Sequence, residues 1–233
     1  MKGKLYLIPT PLGDYDPSLV LTPQTLALLP QVELFFVEEL RTARRFLSAA
    51  GLKGHIEELE LHQINEHSTE AEISAMAALL NGRTSALISE AGLPAVADPG
   101  AQLVALAHNL DIEVIPQVGP SSLMMALMSS GMNGQCFAFT GYLPVKPAER
   151  RARIAEIERI SSQRRQSQII IETPYRNDSL FSDLIATCKG TTRICVAADI
   201  TLPSQFIRTR TASEWKQDMI TIGKRPCVFV LQA

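Results

Sequence analysis

No apolar run in this 233-residue chain approaches the ~20 residues needed to cross a bilayer. The start, Met-Lys-Gly-Lys-Leu-Tyr-Leu-Ile, has a basic flank, but Pro9 and Pro11 cut the apolar stretch too short for a secretory signal. A cytoplasmic protein without a membrane partner is the expectation. Cysteine is sparse: Cys136, Cys188, Cys195 and Cys227 are widely spaced, with no Cys-x-x-Cys pair and no histidine cluster beside them. That spacing excludes a zinc site and leaves buried thiols acting as small hydrophobes. No Gly-x-Gly-x-x-Gly follows the first apolar segment, and no Gly-x-x-x-x-Gly-Lys-Ser/Thr occurs anywhere. An ordinary dinucleotide or nucleoside-triphosphate site is thereby excluded. A Gly-x-Ser-x-Gly nucleophile elbow is missing too, as are internal repeats and low-complexity tracts.

The composition is otherwise that of a globular protein, 46% hydrophobic and 20% charged. The net charge of −2 hides an asymmetry. Residues 1–116 hold 7 Lys/Arg against 15 Asp/Glu, whereas residues 117–233 hold 15 against 9. An acidic half joined to a basic half implies two domains, the second facing something anionic. A Pro/Gly link at Pro116–Gly119 sets the expected boundary, giving domains 1–117 and 118–233.

Strands and helices alternate through the first half. Expected strands are Lys4–Ile8, Val32–Val37, Glu57–Leu61, Thr84–Ile88 and Ile112–Ile115, with the charged third one at an edge. Helices are expected at Gln24–Leu29, Arg41–Ala50, Thr69–Leu80 and Gln102–Asn109. This βαβ pattern predicts a mostly parallel sheet. The second half predicts strands at Cys136–Thr140, Gln168–Ile171, Arg193–Ala197, Gln205–Thr211 and Cys227–Leu231. Helices are expected at Ser121–Ser130, Pro147–Ser162, Asn177–Cys188 and Ser213–Met219. More strands per helix here imply a mixed sheet.

The informative loops follow apolar strands, where open α/β sheets hold ligands. Gly119-Pro120-Ser121-Ser122 opens a helix and suits a carboxylate or phosphate, although an ordinary serine cap explains the same residues. Asp98, in Ala97-Asp98-Pro99-Gly100, is either a helix cap or an anion aimed at an ammonium or ribose hydroxyls. Glu90, Glu38 and Glu39 end strands nearby and read equally as solvated strand ends. Arg150, Arg151 and Arg153 belong to an arginine-rich helix that is either a solvated face or a phosphate-contacting one. Tyr175 and Arg176 could stack on a base and pair with a phosphate.

Taken together, Leu7–Gly13, Val37–Leu47, His62–Glu66, Ile88–Gly100, Val118–Ser122, Phe137–Pro144 and Ile170–Arg176 resemble the tetrapyrrole methylase superfamily of S-adenosylmethionine-dependent methyltransferases. The resemblance is greatest to its RsmI-type branch, which acts on the 2′-oxygen of a 16S ribosomal cytidine. It implies two α/β domains, S-adenosylmethionine in the cleft between them, a homodimer and no metal. Leu12, Asp98, Ala101, Ser121 and Ser122 would contact the cofactor, and Ala198 and Pro226 would line its adenosine side. A ribose hydroxyl nucleophile needs a base, for which Glu39 and Glu90 are the candidates. The implied substrate is ribosomal RNA, contacted by Arg150, Arg151, Arg153, Tyr175 and Arg176. Three motifs depart from the branch: Glu38-Glu39-Leu40-Arg41 replaces Glu-Asp-Thr-Arg, Thr173-Pro174-Tyr175-Arg176 replaces Ser-Pro-His-Arg, and Asp199-Ile200-Thr201-Leu202 replaces Glu-Leu-Thr-Lys, which removes a lysine. A tetrapyrrole C-methyltransferase and a cofactor-binding relative without activity are the competing readings.

Overall fold

The computed structural model describes residues 3–233, so the basic flank read at Met1-Lys2 lies outside them. The chain divides into two compact units, one ending at Ser121 and the other spanning Ser122–Ala233.

The first unit runs β1 (Lys4–Ile8), α1 (Pro23–Leu28), β2 (Leu34–Val37), α2 (Leu40–Leu47), β3 (Glu60–Gln63), α3 (Glu70–Leu79), β4 (Thr84–Ile88), α4 (Ala101–Asn109) and β5 (Glu113–Pro116). All four strand pairings are parallel, in the order β3-β2-β4-β1-β5. Alternation along each strand sorts its side chains onto two faces. Leu5, Leu34, Phe36 and Leu87 pack with Ile73 and Ala77 of α3 and Leu103 and Ala107 of α4. Ile8, Phe35, Val37, Ala86 and Ile88 pack with Leu29 and with Ala43 and Leu47 of α2. The strands are therefore apolar on both sides, as a covered parallel sheet requires.

Local chemistry sets the boundaries. Thr22 caps α1, its hydroxyl accepting from Thr25 N, with Pro23 in the first turn. Thr69 and Glu72 form a reciprocal capping box on α3. Several expected bounds shift by one or two residues, and two shift by three. The third strand begins at Glu60, because Ile56–Glu58 form a 3₁₀ turn, and β3 does lie at the sheet edge. The second helix ends at Leu47 and passes into a wider turn over Ser48–Leu52.

The second unit contains α5 (Ser122–Ser130), β6 (Phe137–Tyr142), α6 (Pro147–Arg164), β7 (Ser167–Ile171), α7 (Asn177–Thr187), β8 (Arg193–Ala198), β9 (Phe206–Thr211), α8 (Ala212–Gln217) and β10 (Cys227–Gln232). Its sheet has the order β6-β7-β10-β8-β9, parallel only between β6 and β7. The mixed sheet read from sequence is observed. Trp215 anchors the core, its indole N–H donating to Ile194 O at 2.9 Å and its ring meeting Phe181 edge-on at 5.2 Å. Cys188 and Cys227 are buried, and desolvation pushes both thiols up to about 12, which leaves them inert at neutral pH. Cys136 is only half-buried, so it is not the core thiol expected.

Candidate active site

In the first unit all five strands end on one edge. The helices after β1 and β2 cover one face, and those after β3 and β4 cover the other. Strand β4 therefore sends its chain to the face opposite that of both its neighbours, β1 and β2, and such partings are where open α/β sheets hold ligands. The loops after β1 and β4 are stitched together. Thr10 N donates to Gly92 O at 2.9 Å, and Gly92 N donates back to Thr10 O at 3.2 Å. The Ser89 hydroxyl donates to Gly92 O at 2.9 Å.

The loop from Ser89 to Gly100 is strained. Ala95 (φ 62°) and Ala97 (φ 60°) are left-handed without being glycine. Such backbone persists only where its surroundings impose it, and it gathers at functional sites. At Gly100 the φ of 112° is required, and an added Cβ would sit 2.6 Å from a Leu87 methyl. Gly119 is needed for a different reason, since a Cβ there would lie 2.3 Å from Pro9 Cβ. This close approach draws the loop after β5 against the loop after β1. Gly119→Ala is expected to destabilise the fold by about 1–3 kcal/mol through overpacking, read by thermal unfolding.

Asp98 does not cap α4. The position before Ala101 is filled by Gly100, which has no side-chain cap. Asp98 instead turns inward: its Oδ2 is buried and has no partner among the described residues. Burial and the charge of Glu90 push Asp98 up to about 6. Glu38 goes higher. Burial, then the charges of Asp98, Glu90 and Glu66, push it up to about 7. Glu38, Glu39 and Glu90 line one small, shallow recess with Thr42, Ala43 and Phe46 of α2 and with Ser89.

Glu39, a candidate base by sequence, lines the same recess but is engaged differently. It is the N-cap of α2, with Oε2 accepting from Thr42 N at 2.6 Å and from the Thr42 hydroxyl at 3.0 Å. Hydrogen bonds from the Arg41 and Thr42 backbone hold its carboxyl below the usual range. A carboxylate so engaged is a poor proton acceptor. Glu38, one residue earlier, is named from sequence as a strand-end carboxylate but not as the base. The only signal was its place as the first residue after an apolar strand.

The raised carboxyls carry a sign for stability. Glu38 and Asp98 bind protons more tightly folded than unfolded, with ordinary values of 4.5 and 3.8. Their contribution is full below those values and is lost as pH rises through about 6 to 7. Melting temperature is expected to fall over that interval for the wild type, and less steeply for Glu38→Gln.

Leu12 is half-buried and its N–H donates to the Tyr15 hydroxyl at 3.2 Å. Ala101 is the first residue of α4, Ser121 the last residue of the first unit, and Ser122 the first residue of α5. Leu12, Asp98 and Ser121 thus fall in loops that follow strands of the first sheet, and Ala101 in the first turn of the helix after one of them.

In the second unit, Ala198 ends β8 and Pro226 immediately precedes β10, whose Cys227 pairs with Ala198. The turn after Ala198 is strained in turn, with Asp199 at φ 51° and the β-branched Thr201 at φ 75°. Tyr175 is exposed (74%). Arg176 is fixed beside it, its Nε donating to Glu172 Oε1 at 2.9 Å and to the Thr173 hydroxyl at 3.0 Å. The arginine helix requires a correction. Arg150 is buried, and its Nε donates to Asp183 Oδ2 at 2.7 Å while Nη1 and Nη2 reach Val145 O and the Ser179 hydroxyl. It holds α6 to α7 and presents nothing to a ligand. Arg151 lies 3.7 Å from Asp183, and Arg153 pairs with Glu156 at 2.6 Å.

The model of the family "Tetrapyrrole (Corrin/Porphyrin) Methylases" matches residues 4–216. The chain is similar to ribosomal RNA small subunit methyltransferase I of Neisseria meningitidis serogroup A, with 32% identity over 96% of this chain and 72% of that protein. It is 34% identical to the protein of that name from Xylella fastidiosa over 84% of this chain and 67% of the relative. Among solved structures it resembles the methyltransferase CobJ (TM-score 0.62, 18% identity, 99% of this chain and 94% of that one). It also resembles uroporphyrin-III C-methyltransferase from Thermus thermophilus in complex with S-adenosylhomocysteine (TM-score 0.55, 16% identity, 99% and 97%). At those identities the structures speak for the fold.

Proposed function

The chain belongs to the tetrapyrrole (corrin/porphyrin) methylases, and on that premise we propose that it is an S-adenosylmethionine-dependent methyltransferase that modifies a ribose 2′-oxygen of ribosomal RNA. One observation carries the reading: a strained loop at the parting of β1 and β4 holds a buried carboxylate oxygen without a partner. Asp98 Oδ2 lacks a donor, and ribose hydroxyls or an ammonium are donors of the kind it needs. The segments at Leu12, Ala101 and Ser121 follow strands of the same sheet, so the residues present fit a charged nucleoside.

When bound, S-adenosylmethionine supplies a methyl group on a sulfonium, already activated for displacement. The chain must orient the acceptor and remove its proton. In this reading Glu38 takes the hydroxyl proton. Its carboxyl, at about 7, is poised near neutral pH, where a general base works best. Glu90, in the same recess, supports it by raising Glu38 through its charge. Tyr175, exposed beside an Arg176 that is held by the buried Glu172, offers a base-stacking face to the RNA.

The proposal includes a cytoplasmic homodimer. No helix among the described residues is long and apolar enough to cross a membrane. Phe137, Phe139 and Met128 expose apolar surface in the second unit, and sedimentation should report twice the chain mass.

The target atom has a direct test. Label from methyl-tritiated S-adenosylmethionine should enter unmodified small-subunit ribosomal RNA. After alkaline hydrolysis it should be recovered in an alkali-resistant dinucleotide, since a 2′-O-methyl group blocks cleavage of the next phosphodiester. Label released in mononucleotides would place the methyl on a base. No label in RNA, with transfer to a tetrapyrrole instead, would contradict the substrate class.

A further inference from the structure

Two guanidinium groups converge on one aromatic ring at the rim of the second sheet. Arg208 Cζ lies 5.2 Å from the Phe206 ring centroid, and Arg225 Cζ lies 6.0 Å from the same centroid. The strands explain the convergence. Phe206 opens β9 opposite Ala198, and Arg208 follows two residues later on the same face of this edge strand. Arg225 arrives from the other side, just ahead of β10, whose Cys227 also pairs with Ala198.

Like charges brought together repel, and counter-charge here is thin. Asp199 Oδ2 lies 3.7 Å from Arg225 Nη1. The Arg225 Nε donates to Ile222 O at 2.8 Å, which fixes the direction of its fork. Arg208 is exposed and has no ion pair among the described residues. Its neighbour on the same strand face, Arg210, is different, being paired with Asp218 and held over Trp215. Three arginines of α6 are engaged as well, Arg150 and Arg151 with Asp183 and Arg153 with Glu156, whereas Arg159 and Arg164 are exposed without an ion pair among the described residues. The basic surplus of the second half thus reaches the surface at the β9–β10 rim as well as at the carboxyl-terminal half of α6.

We infer that Arg208 and Arg225, set around Phe206, form a seat for a backbone phosphate of the RNA. The inference rests on the RNA reading above. A phosphodiester fits because planar guanidinium forks match its oxygens, while the ring between them holds both forks in place by cation–π attraction. Such a contact positions the strand without reading its sequence.

The test measures binding of unmodified small-subunit ribosomal RNA across a salt series, for wild type, Arg208→Ala, Arg225→Ala and the exposed Arg159→Ala, which removes the same charge from α6. Arg208→Ala and Arg225→Ala should each weaken binding at every salt concentration. Each should make the log–log salt slope shallower by about 0.7–0.9. Arg159→Ala should keep the wild-type slope. Methyl transfer should show a raised KM for RNA with kcat kept, and Arg208→Lys should recover part of the affinity. If the wild type binds and methylates RNA but Arg208→Ala matches Arg159→Ala in slope and KM, the phosphate seat is wrong and the RNA reading stands. If the wild type neither binds nor methylates RNA, both fall. Arg208 is exposed on an edge strand, so its replacement tests the seat even if Arg225→Ala fails to fold.

Discussion

Exchanging Glu38 for glutamine is expected to lower kcat for methyl transfer by about 10²- to 10⁴-fold, the range for removing a positioned general base. Glutamine keeps the shape and cannot accept the proton. KM for S-adenosylmethionine should change little, because the assigned contribution lies in proton removal. The wild-type rate should rise with pH through about 7, where the Glu38 carboxyl ionises, and that limb should vanish in the variant. Glu39→Gln is the paired comparison. It weakens the α2 cap, so stability should fall by about 0.5–2 kcal/mol with kcat within a few-fold of wild type. Single-turnover kinetics and thermal unfolding separate the two. A wild-type rate in Glu38→Gln with a collapsed rate in Glu39→Gln would return the role of base to the cap residue.

Arg150→Ala is expected to destabilise the protein by about 3–5 kcal/mol, because it leaves one partner of a buried ion pair uncompensated. The Arg150 and Asp183 side chains are only 4% and 13% exposed. Losing the guanidinium strands the Asp183 carboxylate and also removes donors from Val145 O and the Ser179 hydroxyl. The salt dependence of RNA binding should stay at its wild-type slope, measured below the melting temperature. Arg150→Met, combined with Asp183→Leu, should recover much of the stability, since an apolar pair of similar volume need not be worse than a buried ion pair. A shallower salt slope with unchanged stability would show that Arg150 reaches the RNA after all.

These two residues mark where the sequence could and could not be read. Strands such as Lys4–Ile8 and Thr84–Ile88 were legible to the residue, because apolar runs ending at proline or small polar residues leave little choice. The covered parallel sheet and the mixed second sheet followed from the spacing of strands and helices. Side-chain direction was not legible. Glu38 and Glu39 are neighbours in sequence and line the same recess, yet burial and nearby carboxylates raise the first while the second bonds the backbone of its own helix. Arg150, Arg151 and Arg153 read as one charged stripe, but the helix turns about 100° per residue. Arg150 therefore meets α7 while Arg153 stays with Glu156 on its own helix. Asp98 read equally as a cap and as a ligand-facing anion, because Asp before a helix often caps it. Gly100, in a left-handed conformation, took that position and left the carboxylate inside. The pairing of Arg208 and Arg225 spans 17 residues and depends on the antiparallel register around Ala198, which no local pattern encodes.

The central claim is that the loops following β1, β4 and β5 hold S-adenosylmethionine with Asp98 as a polar anchor. Calorimetric titration of the wild type and of Asp98→Asn with S-adenosylmethionine tests it most directly. One molecule per chain should bind the wild type, with affinity at least tenfold weaker in the variant while the melting temperature of the free protein is maintained. No heat of binding to the wild type at millimolar S-adenosylmethionine, or equal affinity for both proteins, would contradict it.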